Sequence, residues 1–135
     1  MSILVDSNVI LDILTVDKVW YEWSSNKLME YSENNKLIIN QIIYAEISMK
    51  FSKIEELDEV VAEANIKCEN LPWEAGFLAG KCFIQYKKRG GSKNSVLPDF
   101  YIGAHAAITK RAILTRDKGR YGTYFSNLSI ISPQL

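Results

Sequence analysis

Apolar residues come in two kinds of run along this chain, and their alternation predicts the fold. Ile3-Leu4-Val5, Leu37-Ile38-Ile39 and Ala112-Ile113-Leu114 are short blocks bounded by polar residues, and they read as buried strands. Ser129-Ile130-Ile131 reads as a fourth, and Ile66-Lys67-Cys68 as a brief edge strand. The intervening stretches carry helical spacing. Ser7 can cap a helix through Val9, Ile10, Leu11, Ile13 and Leu14. Trp20, Trp23, Leu28 and Tyr31 predict a second helix over 19–31, and Ile43, Ile47 and Phe51 predict a third over 41–51. The acidic run EELDEVVAEAN (55–65) is helical in character. Pro72 opens a helix marked by Trp73, Phe77, Leu78, Cys82 and Ile84, which stops at Gly90-Gly91. Pro98 opens the last, whose final turn carries Lys110 and Arg111 at the negative end of the dipole. Strands alternating with helices predict an α/β fold with a short, mainly parallel central sheet flanked by helices. No repeat or linker divides it, so residues 1–135 form one domain.

Composition adds little to that picture. A chain of 135 residues can bury a real core. No apolar run reaches the roughly 18 residues of a membrane span, and the N-terminus lacks the charged and small-residue features of a secretory signal. The expected location is the cytoplasm. Cys68 and Cys82 have no close-spaced Cys or His companion, which excludes a zinc site of ordinary spacing and predicts two buried free thiols.

Charge changes the picture more. The chain is neutral overall, but residues 1–80 hold 14 acidic against 6 basic side chains, and residues 81–135 hold 2 against 10. A basic face suits phosphates, unless the fold interleaves the two parts and the field cancels. Asp99 and Asp117 are the two acids in the basic part.

Four carboxylates stand where an ordinary fold would not put them. Asp6 ends the first strand between apolar residues, and Asp117 follows the third buried strand. A parallel sheet delivers both to one edge, where open α/β sheets bind ligands. Asp99 lies in the first turn of its helix, where the dipole alone would accept it. Glu46 shares its helix stripe with Ile42, Ile43 and Met49, so it faces the interior or a cleft wall, as a catalytic acid or as half of a salt bridge. Several carboxylates without His or Cys form a hard-oxygen cluster suited to Mg²⁺ or Mn²⁺. Without a cation, like charges at such a site raise each other's pKa. The chemistry that fits is metal-dependent hydrolysis of a phosphodiester, with basic residues around 87–93 and 116–120 holding the backbone.

The segments VDSNVILDIL (5–14), IIYAEI (42–47), LPDFYIGAHAA (97–107) and LTRDKGRY (114–121) occur in the order and spacing of a known family. In them the chain resembles the PIN-domain ribonucleases, in particular the VapC-type toxins of toxin–antitoxin pairs. Ser7 stands where that family more often has Thr, which keeps the hydroxyl. The resemblance implies a PIN-like three-layer fold and an acidic quartet of Asp6, Glu46, Asp99 and Asp117 that binds one or two Mg²⁺ or Mn²⁺ ions and positions the attacking water. It further implies an RNA substrate, a small antitoxin protein as partner, and a homodimer. Ser7, Asn8 and Thr115 beside the acids are candidates for contact with metal-bound water or a phosphate oxygen, with local capping the alternative for Asn8 and Thr115. Arg116 is a candidate RNA contact or a solvated arginine.

Other residues receive structural readings. His105 is expected to pack or to lie at the surface, and Asp12 to be a surface acid. The resemblance also implies a partner groove near the active site, for which Trp20, Trp23 and Tyr31 on one helix are the candidates. A catalytically idle RNA- or protein-binding domain is the main competing function, and retention of all four acids speaks against it. A phosphoryl-transfer enzyme using Asp6 as nucleophile would want a second aspartate two positions on, where this chain has Asn8.

Overall fold

Each buried triplet becomes a strand, and the strands lie side by side. The computed structural model describes residues 1–134. Its elements are β1 (Ser2–Val5), α1 (Ser7–Leu14), α2 (Tyr21–Ser32), β2 (Lys36–Ile39), α3 (Gln41–Ser48), α4 (Ile54–Glu63), β3 (Ile66–Cys68), α5 (Trp73–Lys88), α6 (Leu97–Ile108), β4 (Ala112–Leu114), α7 (Lys118–Gly122) and β5 (Ile130–Ile131). The sheet order is β3-β2-β1-β4-β5, and every pairing is parallel. The sheet is therefore wholly parallel, which explains why its central strands carry no polar alternation.

The chain steps outward from β1 through β2 to β3, then crosses back to β4 and β5. Right-handed crossovers in opposite directions put α1–α4 on one face and α5–α7 on the other. The packing agrees: α1 lies against α2 and α3, and α6 lies against α5 and α7. The core is the sheet itself, with Ile3, Leu4, Val5, Leu37, Ile38, Ile39, Ile113 and Leu114 all buried. Gly103 allows α6 its close approach to Phe125, whose ring fills the space a Cβ would need. Strands are added on one side of β1 as far as β3 and then on its other side from β4. This reversal of strand order leaves a crevice at the carboxyl ends of β1 and β4, the switch point of the sheet.

Local chemistry moved some boundaries and faces. Asp6, not Ser7, is the N-cap of α1, accepting the Ser7 amide at 2.8 Å. Helix α3 stops at Ser48, whose hydroxyl bonds back to the Ala45 carbonyl, rather than reaching Phe51. α7 lacks any apolar periodicity in sequence and was not expected. Trp73 and Phe77 do not join the core: they are 92% and 72% exposed, while Ala75, Ala79 and Cys82 form the buried stripe of α5. Cys68 is exposed rather than buried, because β3 is an edge strand. No helix among the described residues is long and apolar enough to cross a membrane.

Candidate active site at the sheet switch point

Asp6 leaves β1 at the crevice and is almost wholly enclosed, with 1% of its surface exposed. A buried carboxylate needs partners, and it has four. Oδ1 accepts the Ser7 amide at 2.8 Å. Oδ2 accepts the Thr115 hydroxyl at 2.8 Å, the Tyr121 hydroxyl at 2.9 Å and the Asn8 amide at 3.3 Å. Burial still raises the Asp6 carboxyl above its ordinary value, against the lowering by Thr115 and Tyr121. Ser7 and Asn8 open α1, Thr115 directly follows β4 and Tyr121 stands on α7, so segments 109 and 115 positions away join the local helix start in fixing the carboxylate.

Glu46 reaches the same place from α3. Asn40 caps that helix by accepting the Ile43 amide at 3.1 Å, which sets its register over the sheet edge. Glu46 Oε1 accepts the Ser7 hydroxyl at 2.9 Å, so Ser7 sits between two of the four acids. Burial pushes the Glu46 carboxyl up, and the nearby Asp6 charge adds to the rise.

Asp99 comes from the first turn of α6 and Asp117 from the N-cap of α7, where it accepts the Arg120 amide at 3.2 Å. Burial lifts Asp99 to about 6; Arg120 opposes the rise, and Asp6, Glu46 and Asp117 reinforce it. Glu46, Asp99 and Asp117 line one cleft of about 700 Å³ together with Tyr86, Lys93 and Arg120. Asp6 lies beneath, joined to Glu46 through Ser7. The four acids named from the sequence therefore meet at one place.

The family model of the PIN domain matches residues 3–125. The chain belongs to the PIN domain family. PIN domains are generally nucleases. Solved structures agree on the fold. VapBC2 from Rickettsia felis, bound to a DNA fragment from its promoter, matches with a TM-score of 0.73 at 17% identity, over 99% of this chain and 100% of that one. VapBC-1 from nontypeable Haemophilus influenzae matches with 0.71 at 16% identity, over 98% of each chain. A toxin–antitoxin complex from Klebsiella pneumoniae matches with 0.70 at 17% identity, over 97% of each. No curated protein matches the chain in sequence.

In this PIN domain the side chains of Ser7, Asn8 and Thr115 are drawn into the network around the acids, and that of Arg116 is not. Thr115 is fully buried; its hydroxyl donates to Asp6 and accepts from the Asn8 amide at 3.2 Å and the Asp117 amide at 3.1 Å. Asn8 also accepts the Arg116 amide at 3.3 Å, tying α1 to the β4–α7 loop. The Arg116 guanidinium faces away from the cleft, paired with Asp12 at 2.9 Å and lying over the Trp20 ring. Asp12 is thus buried, not a surface acid, because it accepts from Arg116 and from the Ser24 hydroxyl at 2.7 Å.

No local pattern in the sequence singles out Tyr121 or Arg120. Tyr121 follows Asp117 by four positions, so the turn of α7 carries it back to β1. Arg120 bridges two site acids, with Nη1 at 3.4 Å from Asp99 and Nη2 at 3.0 Å from Asp117. The LTRDKGRY segment contained both residues, but nothing in its spacing pointed them inward.

All four acids are hard oxygen donors, and His105 is bonded to Asn40 and Glu69, so the donor set present here fits Mg²⁺ or Mn²⁺. Among the described residues no three His, Cys, Asp or Glu are already drawn together as a ligand group. The reason is visible: Glu46 is turned to Ser7, and Asp99 and Asp117 are turned to Arg120. All three of these carboxylates are half-buried in the cleft wall.

Proposed function

We propose that this PIN domain is a metal-dependent endoribonuclease and the toxin of a toxin–antitoxin pair. The observation that carries the reading is the convergence of Asp6, Glu46, Asp99 and Asp117, from four separate segments, on one crevice where three of them are held above their ordinary pKa. A structural ion-pair network does the opposite and holds its carboxylates down. When bound, Mg²⁺ or Mn²⁺ supplies a lowered pKa for water and neutralises phosphate charge.

The residues divide the work by burial. Asp6, immobilised by its four donors, offers Oδ1 as a rigid oxygen at the floor of the crevice. Asp99 and Asp117 supply oxygens from the walls, and Glu46, with its raised pKa, orients the attacking water and accepts its proton. Ser7, Asn8, Thr115 and Tyr121 position these acids rather than bind substrate. Lys93 and Arg120 in the cleft wall, with Lys87, Lys88 and Arg89 at the end of α5, suit the phosphates on either side of the cut. VapBC structures share the fold and contain an antitoxin with the toxin, which supports a small antitoxin protein as partner here. A homodimer and a cytoplasmic site of action complete the reading.

Purified protein incubated with RNA plus Mg²⁺ or Mn²⁺ is expected to cut internal phosphodiester bonds, and EDTA or Asp99→Asn to stop it. Cleavage that survives both sinks the metal-dependent reading. Growth arrest on expression, relieved by the product of an adjacent small gene, tests the toxin assignment separately.

A further inference from the structure

The cleft contains a cation of its own. Arg120 places one guanidinium nitrogen on Asp99 and the other on Asp117, two acids from different helices, across the opening of the site. Among the described residues no other Lys or Arg side chain pairs with any of the four acids: Arg116 is paired with Asp12, and Arg111 with Glu69. The Arg120 side chain is 42% exposed, so nothing encloses it on the solvent side. It stands on α7, a helix of five residues between two loops. The neighbouring acids hold its guanidinium charged, although burial works against the charge.

An arginine in that place and a divalent ion exclude each other. Both draw on the Asp99 and Asp117 carboxylates, and their positive charges repel at short range. The fork that matches carboxylate oxygens also matches phosphate oxygens. We propose that Arg120 is the resident counter-cation of the metal-free site, that divalent metal displaces it from Asp99 and Asp117, and that the freed guanidinium then takes a phosphate of the RNA. The inference rests on the metal-dependent nuclease reading above. It makes the site a matched exchange: without the ion the arginine quiets the repulsion among the acids, and with the ion the arginine is delivered to the cleft mouth, where the substrate's charge is. Binding of the two ligands is thereby coupled through one side chain.

The test is a direct titration of metal-free protein with Mn²⁺, followed by the electron paramagnetic resonance of free Mn²⁺, for wild type, Arg120→Gln and Arg120→Lys. Removing two partly exposed ion pairs that compete with the metal should tighten Mn²⁺ binding about five- to thirtyfold in Arg120→Gln. Arg120→Lys keeps the charge but not the fork and should fall between the two. At saturating Mn²⁺ the KM of Arg120→Gln for RNA should rise about three- to tenfold, and the dependence of RNA affinity on salt should weaken by about one phosphate contact. Mn²⁺ affinity that is unchanged or weaker in Arg120→Gln overturns the exchange. Tighter Mn²⁺ with an unchanged KM overturns the phosphate role. If wild type and both variants bind no Mn²⁺, the metal-dependent reading itself fails, and that outcome is distinct from the other two.

Discussion

Two polar clusters are buried in this protein, and they are built on opposite principles. One is the acid crevice. The other joins Asn40, His105, Glu69 and Arg111 on the far side of α6. There the Asn40 amide nitrogen meets His105 Nδ1 at 2.9 Å, and because its oxygen already accepts the Ile43 amide, the nitrogen is the donor. His105 Nε2 therefore carries the hydrogen and donates to Glu69 at 3.0 Å, and Glu69 also pairs with Arg111. Arg111 first, and His105 after burial, bring the Glu69 carboxyl below its ordinary value; burial keeps His105 low and neutral. Every group in this cluster has a partner. In the crevice four acids share one arginine, and Asp6, Glu46 and Asp99 are all raised. The His105 cluster is closed, and the crevice is left short of positive charge, a deficit that a bound cation would relieve.

Neutralising one acid from each cluster separates the two most strongly. Asp99→Asn should reduce RNA cleavage on the order of 10³-fold, yet raise the stability of the metal-free protein at pH 7.5. Glu69→Gln should leave cleavage within a few-fold of wild type and lower stability by about 1–2 kcal/mol, since Arg111 and His105 lose their acceptor. Denaturant unfolding of the two variants, beside a cleavage assay, checks both. Loss of stability in Asp99→Asn would mean the crevice is as structural as the other cluster.

Proton uptake sharpens the same contrast. Asp99 titrates at about 6 in the folded protein against 3.8 for the ordinary side chain, so folding favours its protonated form between those values. Stability of the metal-free protein should therefore rise as pH falls from about 7 toward 4, by on the order of 2 kcal/mol. Asp6 and Glu46 shift in the same direction. Glu69 works oppositely, and its contribution is lost on further acidification, as pH falls through its lowered value. Urea unfolding at a series of pH values in EDTA follows both. A stability that falls steadily from pH 7 to 4 contradicts the raised pKa at the crevice.

Tyr121→Phe has the smallest expected effect. It removes one of three donors to Asp6 Oδ2 and should cost about 1 kcal/mol of stability. Mn²⁺ affinity should fall up to about tenfold, as for other residues that orient a ligand. An unchanged Mn²⁺ affinity would limit Tyr121 to packing.

The sequence showed the parts of the site that depend on local rules. Asp6 and Asp117 are legible because they end buried strands, and parallel strands that end together bring such residues to one edge. Asp99 is legible from Pro98 and the helix start, and Glu46 from its place in an apolar stripe. What local rules do not reach is pairing over long separations. Asp12 reads as a surface acid until Arg116, 104 positions away, is brought beside it. Tyr121 carries no local signal of its role, which appears only when its hydroxyl meets Asp6, 115 positions away. Arg120 reads as one of several basic residues until α7 turns it across the cleft. Trp73 and Phe77 fit a buried helical stripe, but Ala75, Ala79 and Cys82 on the same helix took that role because small residues let α5 pack close to α6.

The central claim is that the crevice is a divalent-cation site whose acids are otherwise in electrostatic conflict. Thermal unfolding of wild type and Asp99→Asn at pH 7.5, with and without Mn²⁺, tests it most directly. Asp99→Asn should melt above wild type in EDTA, and Mn²⁺ should raise the Tm of wild type while leaving the variant nearly unmoved. A wild-type Tm indifferent to Mn²⁺, or an equal rise in both proteins, would contradict it.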